Sequence, residues 1–141
     1  MRRVFWDTML FVYLIERNPE FRPKVVQIRE RMLERNDQLC TSAVTLGEVL
    51  AGALAANART LAGQYRLALS RPHVEVVDFT EETAEHYARI RADRSIRPAD
   101  AIQLACAAQA KADLFVTNDL RLTRKIIPGV KFIADLNFNY L

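Results

Sequence analysis

Asp7, Glu48, Asp100 and Asp119 are carboxylates that each stand where an apolar, strand-like run ends or a helix begins. Their settings are Val4-Phe5-Trp6-Asp7-Thr8, Thr45-Leu46-Gly47-Glu48, Arg97-Pro98-Ala99-Asp100-Ala101 and Leu114-Phe115-Val116-Thr117-Asn118-Asp119. A folded α/β chain brings strand ends to one crevice, so these dispersed acids can meet there. Carboxylates gathered in one cleft repel one another, and a hard divalent cation or flanking basic groups keep them ionised. With oxygen ligands and no histidine or cysteine beside them, Mg²⁺ or Mn²⁺ fits best. A cation of that kind lowers the pKa of a water nucleophile, which points to hydrolysis.

Each acid also has a structural explanation. Asp7 and Asp119 suit helix N-caps, Glu48 completes a capping box opened by Thr45, and Asp100 sits in a first turn behind Pro98, where the helix dipole favours negative charge. The structural reading weakens when the four are taken together. Asp7 and Asp119 directly follow strands and so must share the carboxyl edge of a parallel sheet.

The elements that would position them follow from hydrophobic period and punctuation. Val4–Trp6 and Leu114–Thr117 read as continuous apolar strands buried on both faces, with further strands at Gln38–Ser42, Val74–Val77 and Val130–Ile133. Helices are predicted from Met9 to about Glu16, Pro23 to Arg35, near Thr45 through Leu54, Ala58 to Ser70, Thr80 to about Ala92, Ala99 to Lys111, and briefly from Asp119 to Lys125. The alanines at 99, 101, 105, 107, 108 and 110 let one helix approach a sheet closely. Strands alternating with helices imply a mostly parallel sheet covered on both sides.

The 141 residues suit one domain spanning 1–141, and 50% hydrophobic with 26% charged residues is a globular balance. Cys40 and Cys106 have apolar neighbours and no metal-ligand spacing, so buried reduced thiols and a reducing, cytoplasmic setting are expected. No apolar stretch is long enough for a bilayer, and no signal-peptide pattern opens the chain. The net charge of +3 becomes more basic elsewhere if four carboxylates occupy one cleft, an arrangement suited to a phosphodiester substrate.

In Phe5-Trp6-Asp7-Thr8, Thr45-x-x-Glu48-x-x-x-Gly52, Pro98-Ala99-Asp100-Ala101-Ile102-Gln103-Leu104-Ala105 and Thr117-Asn118-Asp119, in that order and spacing, the chain resembles the PIN-domain ribonucleases, and among them the VapC toxins of bacterial toxin–antitoxin pairs. The resemblance runs through nearly the whole chain. It implies a three-layer α/β/α sandwich and Mg²⁺- or Mn²⁺-dependent endonucleolytic cleavage of RNA. It also implies Asp7 and Asp100 as direct metal ligands, Glu48 and Asp119 as the remaining catalytic acids, and Thr117 and Asn118 as supporting residues. A small antitoxin blocking the site and a homodimer are expected partners, with the apolar faces of Met9–Glu16 and Pro23–Arg35 offered to the antitoxin. One departure stands out: the family commonly has Asn or Ser two residues after its first Asp, and this chain has Met9. Weakened outer-shell support of that kind lowers activity about tenfold or more in other metal sites.

Arg97, Arg121 and Arg124, with Arg94 and Lys125 nearby, are candidates for gripping RNA phosphates, against the alternative of a solvated helix face. Phe5 and Trp6 read as core rather than as base-stacking groups, and His73 and His86 receive no role. Two rival readings stay open. One is a PIN scaffold with little or no turnover that binds RNA or a partner. The other is a flavodoxin-like phosphoacceptor domain, which needs an acidic pair before its first helix and a lysine ending its last strand; this chain has Phe5-Trp6 there, and Lys131 falls inside the strand expected at 130–133.

Overall fold

The short apolar run at the start of the chain becomes the central strand of the molecule. The computed structural model describes residues 1–137; residues 138–141 of the expected domain lie outside that description. Strand β1 (Arg3–Trp6) leads into helix α1 (Thr8–Ile15), followed by α2 (Arg22–Glu34), β2 (Gln38–Ser42), α3 (Ala43–Ala55), α4 (Arg59–Ala68) and β3 (Val74–Val77). Then come α5 (Glu81–Ile90), α6 (Pro98–Gln109), β4 (Leu114–Val116), a single 3₁₀ turn (Leu122–Arg124) and β5 (Ile133–Ala134).

The five strands lie in the order β3-β2-β1-β4-β5, and every neighbouring pair is parallel. Chain order therefore reverses direction at β1 and β4, where a doubly wound sheet opens a crevice at its carboxyl edge. Alternating side chains of β1 serve both layers, as a period of two requires. Val4 and Trp6 join a core built with α1 to α4. Phe5 faces the other way, stacks on Phe115 at 5.4 Å, and packs with Ile90, Leu104 and Ala105 of α5 and α6. Helices thus cover both faces, which is the expected three-layer sandwich. Phe5 and Trp6 have no exposed surface, as their core reading requires. Cys40 and Cys106 are both free and buried, and burial pushes their thiols up to about 12 and about 11.

Four helices end on a left-handed residue that is not glycine. Arg17, Asn36, Asn57 and Lys111 take left-handed backbone (φ 54 to 57°) just past α1, α2, α3 and α6. The next N–H in each case closes on a carbonyl in the last helical turn: Asn18 on Tyr13, Asp37 on Met32, Ala58 on Ala53 and Ala112 on Ala107. Two expected elements are corrected. The helix at Asp119–Lys125 shrinks to the 3₁₀ turn, and the last strand is Ile133–Ala134 rather than Val130–Ile133, pairing with β4 at Phe115 and Val116.

Candidate active site at the carboxyl edge of the sheet

Asp7 leaves the end of β1 with its N–H bonded to the Val116 carbonyl of β4 at 3.0 Å, so it stands at the point where strand order reverses. It is the N-cap of α1, and its Oδ1 accepts from the Thr8 N–H at 2.9 Å. Its Oδ2 accepts from the Thr117 hydroxyl at 2.8 Å, which fixes the carboxylate against the first residue after β4. Burial pushes the Asp7 carboxyl above its ordinary value; the Thr117 and Thr8 bonds pull it down, and the negative charges of Asp100 and Glu48 push it up again. Those charges reach Asp7 because all three acids line one cleft of about 300 Å³, together with Thr8, Met9, Tyr13, Arg97, Gln103, Thr117, Asn118 and Asp119.

The remaining acids arrive from separate elements. Asp100 lies in the first turn of α6 behind Pro98, as the sequence implied. Glu48 lies in the second turn of α3, because Ser42, not Thr45, is the N-cap: its hydroxyl accepts from the Thr45 N–H at 3.0 Å. The expected Thr45–Glu48 capping box is therefore absent. Glu48 projects to the cleft and its Oε1 accepts from the Thr8 hydroxyl at 3.2 Å. Asp119 caps no helix either. Its carboxylate accepts from the Arg121 N–H at 3.0 Å and from the Arg121 guanidinium at 3.0 and 2.6 Å. That guanidinium holds the Asp119 carboxyl below its ordinary value. Asn118 donates to the Tyr13 hydroxyl at 3.1 Å, and Thr117 accepts from the Asp119 N–H at 3.0 Å.

Only some of the expected cations reach the cleft. Arg97 Nε donates to Asp100 at 3.2 Å and its Nη2 stands 3.6 Å from Asp119, so one guanidinium spans two acids. Arg121 is at the rim through Asp119. Lys125 turns away to Asp93 at 3.4 Å and to Ser95, while Arg94 and Arg124 are exposed and do not line the cleft. Sequence reasoning gave no role to Tyr13, whose hydroxyl accepts from Asn118, or to the buried Gln103, although Gln103 lies in the Pro98–Ala105 motif.

A divalent ion fits these residues by donor chemistry. The cleft offers carboxylate, hydroxyl and amide oxygens, and Asp7 carries a burial penalty worsened by two neighbouring charges, which a cation relieves. As the side chains stand, no group of three acids, histidines or cysteines among the described residues is arranged to hold one ion. Asp100 and Asp119 are instead paired with arginine. Arg97 and Arg121 are more than half exposed, where solvent screens their ion pairs, so exchanging them for a cation costs little.

The PIN domain family model matches residues 4–126. Over 139 residues, 93% of this chain and 96% of the relative, the chain is 30% identical to the tRNA(fMet)-specific endonuclease VapC of Salmonella typhimurium. Among solved structures, VapBC2 from Rickettsia felis bound to a DNA fragment from its promoter matches with a TM-score of 0.76 at 21% identity, over 94% of this chain and 98% of that one. VapBC-1 from nontypeable Haemophilus influenzae matches with a TM-score of 0.73 at 22% identity, over 96% and 99%. At such identities the structural likeness speaks for the fold; common descent rests on the family match and the curated relative. With a matched segment that runs from β1 past the 3₁₀ turn, the chain belongs to the PIN-domain family, among its VapC-like nucleases.

Proposed function

We propose that this cleft hydrolyses RNA phosphodiester bonds with Mg²⁺ or Mn²⁺, and that the protein is the toxin of a toxin–antitoxin pair, working in the cytoplasm as a single-domain subunit of a homodimer. The observation that carries the reading is the meeting of Asp7, Asp100 and Glu48 from β1, α6 and α3 around one cleft at the strand-order reversal. Asp7 and Asp100 would hold the ion, with Glu48 and Asp119 completing the acidic set. When bound, a divalent ion there supplies charge neutralisation at the scissile phosphate and a more acidic water.

The chain's own residues do the rest. Thr117 and the Thr8 N–H fix both Asp7 oxygens, so that carboxylate is pre-oriented. Arg97 and Arg121, released from Asp100 and Asp119, sit at the mouth where they can take up substrate phosphates. The VapC relative named for tRNA(fMet) makes that tRNA the first RNA to offer.

Three VapBC structures and a toxin–antitoxin complex from Klebsiella pneumoniae resemble this chain, which supports a small antitoxin as its partner. A largely apolar groove lined by Met9, Val12, Val49, Ala53, Ala56 and Leu61 runs from the acids between α1, α3 and α4. It suits an antitoxin segment better than the expected face of α2 does, because it shares Thr8, Met9 and Glu48 with the cleft. No helix among the described residues is long and apolar enough to cross a membrane.

Met9 favours a second reading, an RNA-binding scaffold with little turnover, because its thioether lines the cleft where the family commonly has an amide or hydroxyl. One assay separates the two. Labelled RNA incubated with the protein and Mg²⁺ or Mn²⁺ should be cut, and EDTA or Asp7→Ala should abolish cutting. Binding without metal-dependent cutting would leave the scaffold.

A further inference from the structure

We infer that Gln103 is a positioning residue for Glu48, acting through Thr8; this rests on the nuclease reading above and assigns one buried amide to its geometry. Gln103 is only 3% exposed, and its neighbours one turn away on α6 are Ala99, Asp100 and the buried Cys106 and Ala107. Burying an amide is unfavourable unless all its polar atoms are used.

Every one of them is used, and the bonds have a direction. Ser42 Oγ already accepts from the Thr45 N–H, so its hydrogen is free to go to Gln103 Oε1, at 2.5 Å. The amide oxygen is thereby fixed, and the Nε2 hydrogens point to Thr45 Oγ1 at 2.7 Å and Thr8 Oγ1 at 2.8 Å. Thr8 Oγ1, which accepts from Gln103, has one hydrogen left to give. It lies 3.2 Å from Glu48 Oε1 and 3.0 Å from Thr45 Oγ1. A carboxylate is the stronger acceptor, so the Thr8 hydrogen goes to Glu48.

The chain Ser42 to Gln103 to Thr8 to Glu48 therefore runs from the N-cap of α3, through α6 and the start of α1, back to the acid of α3. Among the described residues, Thr8 supplies the one hydrogen bond that Glu48 receives. A long, exposed glutamate on a helix is otherwise free to swing into solvent. Gln103 sets which way the Thr8 hydroxyl points, and so where the Glu48 carboxylate stands in the cleft.

The test compares wild type with Gln103→Met, Thr8→Val, Thr8→Ser and the Gln103→Met/Thr8→Val double variant. kcat and KM are measured on one labelled RNA with Mn²⁺, and crystal structures are determined for both single apolar variants. Gln103→Met and Thr8→Val should each lower kcat about tenfold with KM barely changed, as for loss of an outer-shell orienting bond. The double variant should be no slower than Thr8→Val, Thr8→Ser should restore most of the rate, and Glu48 should leave residue 8 in both structures. A wild-type kcat in folded Gln103→Met, losses that multiply in the double variant, or a Thr8–Glu48 bond intact in Gln103→Met would overturn the inference. A residue that merely satisfied the core would lower thermal stability and leave kcat alone. Should Gln103→Met fail to fold, Thr8→Val, which keeps the bonds to Ser42 and Thr45, decides by its rate. Should wild type cut no RNA, the nuclease reading falls; the position of Glu48 in the variant structures then decides this inference by itself.

Discussion

The two edges of this sheet treat their acids in opposite ways. At the amino edge, Asp37, Glu75 and Asp113 each meet a cation: Arg2 at 3.2 Å, Arg3 at 2.7 Å and Lys131 at 3.4 Å. The N–H groups of Arg2 and Arg3 add bonds to Asp37 and Asp113 at 3.1 and 2.8 Å, and Arg3 Nε reaches the Ala110 carbonyl at 2.6 Å. Those charges tie β1 to its neighbours and need nothing further. At the carboxyl edge Asp7 receives only neutral donors, Glu48 a single hydroxyl, and Asp100 and Asp119 share exposed arginines. At the amino edge all three acids meet a cation, whereas at the carboxyl edge Asp7 and Glu48 meet none among the described residues, a charge deficit that on the proposed reading a metal ion fills.

The sharpest break between the edges should come from isosteric amides. Asp7→Asn keeps a competent N-cap and should lower RNA cutting at least about 100-fold without lowering the unfolding temperature, while Asp113→Asn should leave cutting unchanged and destabilise the fold. Turnover assays paired with thermal melts read both. If Asp113→Asn cost as much activity as Asp7→Asn, the division of labour would be wrong.

Next in size is Arg3→Met, which removes the bonds to Glu75 and to the Ala110 carbonyl. Charged hydrogen bonds of that kind predict a loss of about 2 kcal/mol in urea unfolding with kcat unchanged. Smaller still is the effect of the rim cations. Replacing Arg97 and Arg121 by alanine should weaken RNA binding and lower the slope of log affinity against log salt by roughly 0.7 for each phosphate no longer neutralised. Identical slopes would take both off the substrate path.

The smallest contrast is in pH. Glu75 and Asp113 are held below their ordinary values, by the Arg3 side chain and the Arg3 N–H respectively. Stability they lend is complete above the ordinary 4.5 and 3.8 and is lost as pH falls through the lower folded values. Asp7 is raised by burial, so its contribution has the opposite sign: ionising it disfavours the fold as pH climbs above 3.8. Acid unfolding monitored by circular dichroism should therefore be flatter in Arg3→Met than in wild type, and Asp7→Asn should gain stability near neutrality.

Much of this was legible in the residues. Val74–Val77 lies where its apolar run put it, and α6 begins at Pro98, because β-branched runs and helix-start prolines act locally. The strand-end acids were equally plain, since a parallel sheet leaves Asp7 and Asp119 one edge to occupy. Glu48 was read correctly as a cleft acid, while its structural alternative, a capping box, arose because Ser42-x-x-Thr45 and Thr45-x-x-Glu48 offer two overlapping helix starts, of which the fold uses Ser42. Asp119 looked like a cap because the turn after it is too short to show a period. Gln103 stayed hidden for a different reason: Ser42 and Thr45 lie far back along the chain, and nothing local marks a buried amide as connected to them.

The sheet's winding order also bears on when the cleft can first act. β4, which slots against β1 and carries Thr117 and Asp119 to Asp7, is translated after all six α-helices of the fold. A nascent polypeptide emerging from the ribosome therefore holds Asp7 without the hydroxyl that orients it until that late strand docks beside β1. On the proposed reading, the acidic cleft is complete only after all the α-helices among the described residues have been synthesised.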